Sequence, residues 1–212
     1  MCFNFKIQHS LISIQHSKKP LIFVKRKTMQ SKLYCLESVP DITTHTSSII
    51  LTSLEKLALQ YNITNVYQTC DSIEGLEESL STLLYEDRNF HDYEIIYFVF
   101  QGRDNNLIID NYLYSLEEIA ELFEGKLKGK IIHFANEKVL DLTSEEAQYF
   151  LDITGARAIS GYGIKNHKVS SIHLDKFFFN LCDELDNLVE IVEELHQKNY
   201  ALCKFLDFRL YY

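Results

Sequence analysis

Two apolar segments of this chain stop abruptly in polar residues. Tyr97-Phe98-Val99-Phe100 runs into Gln101-Gly102, and Ile131-Ile132-His133-Phe134 runs into Ala135-Asn136-Glu137. Strands of an open parallel sheet deliver functional groups to its carboxyl edge in this way. Here they would deliver an amide and a carboxylate. With Glu137 as a general base, Asn136 or Gln101 could hold an oxyanion or a water, chemistry that requires a buried carboxylate. Without proton transfer the same groups make a binding pair. Gln101 and Asn136 then offer amide hydrogen bonds and Glu137 faces a cation, with Gly102, Arg103, Lys138 and Tyr162 along the rim.

The remaining chemistry-bearing residues point elsewhere. His133 lies inside its apolar strand rather than after it, so a buried, hydrogen-bonded imidazole is the expectation. Cys35 and Cys70 fall on the first two strands and read as buried hydrophobes, while His167 and His173 read as surface residues near a helix start. The five cysteines are scattered, with no CxxC and no Cys/His pair at metal-ligand spacing. No cofactor or metal is expected, and free thiols suit a reducing compartment.

The elements that must position these groups alternate from residue 32 onward. Residues 32–37 read as a strand and 45–61 as a helix with Ile49, Ile50, Leu54, Leu57 and Ala58 at helical spacing. Residues 64–70 form a second strand, and Asp71 is the expected N-cap of a helix carrying Leu76, Leu80, Leu83 and Leu84. Residues 93–100 are nearly all apolar and belong centrally in a sheet. A hairpin pairs 107–109 with 112–114 about Asp110-Asn111, and Ser115 with Glu118 writes a capping box. A fourth main strand (130–134), a helix (144–153) and a fifth strand (156–160) ending in a Gly161-Tyr162-Gly163 turn follow. Two helices come next (170–183 and 185–199), with Leu181, Leu185, Leu188, Val192 and Leu195 as a core stripe. The tail 205–212 is apolar on both faces and reads as an edge strand that must pair within the sheet or across a homodimer.

This order describes a three-layer α/β domain with short crossovers. It carries no GxGxxG, no GxxxxGK[ST], and Gln101 where a phospho-receiver would need an aspartate, so dinucleotide, nucleotide and receiver functions are excluded. With the hairpin after the third strand, the order resembles the caspase-like (clan CD) peptidases, including the bacterial CHAT group. Tyr34-Cys35-Leu36-Glu37, Tyr112-Leu113-Tyr114-Ser115-Leu116-Glu117-Glu118, Gly129-Lys130-Ile131-Ile132-His133-Phe134 and Gly155-Ala156-Arg157-Ala158-Ile159-Ser160-Gly161-Tyr162 are similar to an uncharacterised family of small bacterial CHAT-like proteins. The resemblance runs from about residue 33 to the C-terminus, with its best motifs in 97–162. It implies a caspase-like (flavodoxin-like) sandwich with a mostly parallel sheet. It also implies a His-Gly after the third strand and a cysteine nucleophile after the fourth.

This chain departs from that pattern at both places. Phe100-Gln101-Gly102 stands where the family has Phe-His-Gly, and Phe134-Ala135-Asn136-Glu137 where it has Phe-Gly-Ser-Cys. Cysteine peptidase chemistry needs a thiolate and an imidazole to activate it. The expectation is a catalytically inactive domain acting as a peptide- or protein-binding regulatory module, with a hydrolase using Glu137 as general base, or a structural partner that oligomerises through the tail strand, as the alternatives.

Composition sets the outer limits. The 212 residues are 46% hydrophobic, enough to build a core, and only two prolines and seven glycines argue against a loop-rich protein. Residues 1–28 hold six basic side chains and no acid, which leaves 15 basic against 30 acidic residues beyond them, a formal −15. So acidic a body disfavours nucleic acid and anionic membrane as partners. No apolar run reaches the roughly 18 residues of a membrane span. A cytoplasmic location is expected, with translation from Met29 and residues 1–28 as a basic leader or tail outside a single domain, 29–212.

Overall fold

The computed structural model describes residues 32–43, 48–166 and 168–212; the expected basic leader, the expected helix start at His45, and His167 lie outside them. In chain order the first elements are β1 (Lys32–Ser38), α1 (Ile49–Tyr61), β2 (Thr64–Cys70), α2 (Ile73–Ser81) and β3 (Tyr93–Val99). A small sheet follows, of β4 (Gly102–Arg103), β5 (Asn106–Ile109) and β6 (Tyr112–Ser115), and then α3 (Leu116–Glu121). The chain closes with β7 (Ile131–Phe134), α4 (Ser144–Thr154), β8 (Ala158–Tyr162), α5 (Ile172–Glu184), α6 (Leu188–Leu206) and β9 (Phe208–Tyr211).

The main sheet has six strands in the order β2-β1-β3-β7-β8-β9, all parallel except β9, which runs antiparallel to β8. Side chains alternate across it, and the alternation sorts the core into two halves. Leu36, Ile96, Phe98, Ile132, Phe134 and Ile159 pack under α2, α3 and α4. Leu33, Cys35, Ile95, Tyr97, Ile131 and Tyr162 pack under α1, α5 and α6. This is the three-layer α/β sandwich expected from the sequence, with the small hairpin sheet after the third strand. β3 sits between β1 and β7, which explains why its residues are almost continuously apolar.

Local chemistry accounts for most boundaries. Ser115 and Glu118 form the expected capping box, and Thr143 with Glu146 forms a second one at α4. Asp110 and Asn111 take φ of 47° and 66°, the left-handed pair of a tight hairpin turn. The N-cap of α2 is Ser72 rather than Asp71, because Ser72 has the extended backbone and its Oγ accepts from Gly75 N at 3.2 Å. Gly161 and Tyr162 continue β8 instead of forming a turn, since β9 pairs with them as Gly161↔Arg209 and Tyr162↔Phe208. The last helix bends at Asn199 (φ −131°, ψ 33°), the expected end, and then continues to Leu206. Asp207, with φ of 54°, reverses the chain into β9, so the tail pairs within its own sheet and Phe205 and Leu206 belong to the helix. The stripe Leu181, Leu188 and Leu195 is buried, with Leu185 and Val192 packed against it. Among the described residues, no helix is long and apolar enough to cross a membrane.

Gly102 joins the main sheet to the hairpin at close quarters. A Cβ there would meet the Asn106 carbonyl oxygen and stand 2.6 Å from Lys138 Cβ, both immobile neighbours. Gly102→Ala is therefore expected to cost at least about 2 kcal/mol. Urea unfolding measures that loss, and hydrogen exchange should rise first in residues 102–115.

Candidate functional site

Register places the two strand ends side by side. Phe98 pairs with Phe134, and Gln101 and Glu137 each follow three residues on, beyond these adjacent strand ends at the carboxyl edge. Two backbone bonds fasten the junction: Ala135 N donates to Phe98 O at 3.0 Å, and Gly102 N donates to Glu137 O at 3.3 Å. Both side chains are exposed, as is Arg103. Lys165 reaches the same edge from the loop after β8, its Nζ donating to Gly102 O at 3.4 Å.

Asn136 does not share that surface. It is buried, and its side chain is spent on the protein: Oδ1 accepts from Ser171 N at 3.1 Å and Nδ2 donates to Val169 O at 2.8 Å. Tyr162, expected on the rim, has no exposed surface, because its position in β8 turns the ring toward α5. Lys138, also expected on the rim, is 1% exposed. Its Nζ lies 4.4 Å from the Phe134 ring centroid and donates to Val139 O at 3.2 Å. Burial pulls its ammonium down to about 7. Of the expected site, Gln101, Gly102, Arg103 and Glu137 form one edge and the others support it from below.

Beneath that edge lies a buried polar cluster that sequence reasoning did not single out. Asp175, on α5, is 1% exposed and accepts on both carboxylate oxygens. Tyr97 Oη donates to Oδ2 at 2.7 Å, Ser171 Oγ donates to Oδ2 at 2.8 Å, and Tyr162 Oη donates to Oδ1. His133 Nε2 stands 3.0 Å from Oδ1, while its Nδ1 lies 2.8 Å from Ser160 Oγ. A carboxylate only accepts, so Nε2 carries a proton; the Ser160 hydroxyl rotates to complement Nδ1. Burial pushes the Asp175 carboxyl up, yet the His133 ring beside it and the two tyrosine hydroxyls that donate to it outweigh burial and hold it below its ordinary range. Burial and the Asp175 charge push both tyrosines well above theirs. The sequence signal for this cluster is a lone acid on a helix face that also presents Leu174, Phe178 and Phe179 to the core.

The cluster reaches the candidate site through two serine and asparagine bonds. Asn136 N donates to the same Ser171 Oγ that donates to Asp175, at 3.2 Å. The backbone just before Glu137 is thus tied to the core carboxylate. At the end of β1, Glu37 serves a comparable structural purpose, accepting from Ser48 Oγ at 2.6 Å and Tyr67 Oη at 2.7 Å.

Neither half of a thiol–imidazole pair stands at the strand ends. His133 is fully buried with both ring nitrogens engaged, as expected, and His173 is exposed on α5. The side chains of Cys35, Cys70, Cys182 and Cys203 are buried. Burial pushes the Cys35 thiol well above its usual value and raises Cys70 to about 12 and Cys203 to about 11, the reverse of an activated nucleophile. Among the described residues, no group of three or more His, Cys, Asp and Glu side chains could hold a metal ion.

Residues 30–212 match the sequence profile of a family described as a family of unknown function, DUF6642. The chain belongs to this family. No curated protein matches it. Among solved structures, the chain is similar to the crystal structure of caspase-1 from Spodoptera frugiperda. Identity is 12%, the match covers 90% of this chain and 84% of that one, and the TM-score is 0.47.

Two predictions follow from the burial of charge. Asp175→Ala leaves four buried donors without their acceptor and should lower stability by about 3–5 kcal/mol. Because the folded carboxyl is held low, its contribution is present above the ordinary aspartate range and is lost as pH falls below about 4. The difference between wild type and variant, followed by denaturant unfolding, should therefore shrink on acidification. Lys138→Met acts in the opposite sense. The burial cost of the ammonium is complete below pH 7 and fades as pH rises toward the ordinary lysine value of 10.5, so the variant should be more stable by about 1–4 kcal/mol at pH 6 and converge on wild type only above about pH 10.5.

Proposed function

We propose that this chain is a catalytically inactive caspase/CHAT-like domain that binds a peptide or protein segment at its sheet edge as a regulatory module. The observation that supports this reading is that Gln101 and Glu137 are both exposed just beyond the adjacent ends of β3 and β7, where a peptidase of this layout would hold imidazole and thiol. Glutamine cannot accept or deliver a proton near neutral pH, and a carboxylate is a poor nucleophile toward an amide. Removing a hydrolytic triad leaves roughly 10³ to 10⁴ over the uncatalysed rate, against total accelerations of about 10⁶ to 10¹⁷. What remains at the edge is recognition chemistry. Gln101 offers an amide, Glu137 an anion, and Arg103 and Lys165 offer cations beside them.

The rival reading, a hydrolase with Glu137 as general base, requires a buried carboxylate and a neighbouring group to hold water or an oxyanion. Glu137 is exposed and Asn136 is committed to Ser171 and Val169. That reading has no support from the site's geometry. A cytoplasmic setting suits the free thiols and belongs to the same proposal.

The test is a mixed peptide library incubated with the wild-type chain and with a Gln101→His, Glu137→Cys variant. Wild type should show no turnover above the uncatalysed background, while the rebuilt pair should cleave a subset of peptides. Wild-type cleavage that disappears on Glu137→Ala would overturn the proposal.

A further inference from the structure

A cavity of about 340 Å³ lies away from the strand ends, between the β4–β5 turn, the start of α3 and the first turns of α4. That volume is at the small end of ligand sites, which run from about 300 to 1,000 Å³. Its rim carries three carboxylates, Asp104, Glu117 and Glu146, and its lining contains no lysine or arginine. None of the three pairs with a cation among the described residues. Asp141, which precedes Leu142 of the lining, pairs with Arg209.

The walls show what kind of cation fits. Leu116, Leu142 and Phe150 are buried and make an apolar floor, while Tyr149, 41% exposed, leaves a ring open at the mouth. Each helix start that borders the cavity spends two N–H groups on a capping box, Ser115–Glu118 or Thr143–Glu146, so Glu146 faces the cavity while one of its oxygens caps α4. The cavity is also preformed. Asn105 Nδ2 donates to Asp141 O at 2.9 Å and Asp141 N donates to Asn105 Oδ1 at 2.8 Å, which fixes the hairpin against the approach to α4. Divided carboxylates around an apolar floor suit an organic cation, and no triad of ligating side chains is present to favour a metal. A guanidinium combines a flat face for an aromatic ring with a fork for carboxylates, on an aliphatic stem that matches the floor.

We propose that this cavity is a docking pocket for an arginine side chain of a partner protein. The proposal extends the reading of the chain as a binding module but concerns a different surface, since none of the cavity's residues lies at the ends of β3 or β7.

The ¹⁵N-labelled full chain is titrated with Nα-acetyl-arginine amide and, as an uncharged isostere, with Nα-acetyl-citrulline amide. Arginine should produce saturable amide shifts confined to residues 104–106, 115–117 and 142–150, and citrulline should produce none at equal concentration. An Asp104→Asn, Glu117→Gln variant, which keeps the capping glutamates, should bind about tenfold more weakly while its amide spectrum remains folded. A Gln101→Ala, Glu137→Ala variant should bind arginine as wild type does, which separates this pocket from the sheet edge. Equal shifts with citrulline, shifts outside those segments, or unchanged affinity in the Asp104/Glu117 variant would overturn the proposal.

Discussion

A single carboxylate under the sheet, Asp175, organises this fold. Four side chains from three strands and a helix start converge on it: Tyr97 from β3, His133 from β7, Tyr162 from β8 and Ser171 from the turn before α5. Three of those residues lie on neighbouring central strands, and their polar atoms would be unsatisfied in an otherwise apolar layer without an acceptor below them. Placing an ion there is costly unless it is fully hydrogen-bonded, and the four donors meet that condition. The arrangement fixes both the seating of α5 on the sheet and the relative placement of β3, β7 and β8. Aromatic packing seals it, with Phe178 and Phe179 5.1 and 5.3 Å from the His133 ring.

The same constraint reaches the functional edge. Ser171 is shared between Asp175 and the backbone of Asn136, so the loop that presents Glu137 is anchored to the core. Asn136 holds Val169 and Ser171 against that anchor, and Gly102 packs against Lys138 from the other side. Strand ends supported in this way hold their side chains in a defined geometry. The edge therefore presents Gln101, Arg103 and Glu137 to solvent from a fixed backbone.

Much of this was legible in the sequence, for reasons that can be named. Continuous apolar runs gave β3 and β7 their central positions, and Ser115 with Glu118 marked the start of α3 through a local bond. His133 was readable as buried because it falls within an apolar run. What escaped was set by contacts distant in sequence. Gly161 and Tyr162 read as turn residues, yet pairing with Arg209 and Phe208 makes them strand, and that in turn buries Tyr162. Lys138 read as surface because lysine usually is. Its burial comes from the hairpin folding over it, an arrangement no local pattern encodes. Asp175 has partners 42 and 78 residues away, so its role could only be suspected from an acid on an apolar helix face.

The most direct test of this account is the titration of the Asp175 side-chain carboxyl carbon by ¹³C NMR in the intact protein. The account predicts that Asp175 stays ionised through the ordinary aspartate range near pH 4 and takes up its proton only as the fold is lost. A carboxyl that titrates at or above that range while the protein remains folded would contradict it, since a neutral Asp175 could not be the charged acceptor on which the sheet, α5 and the strand-end site depend.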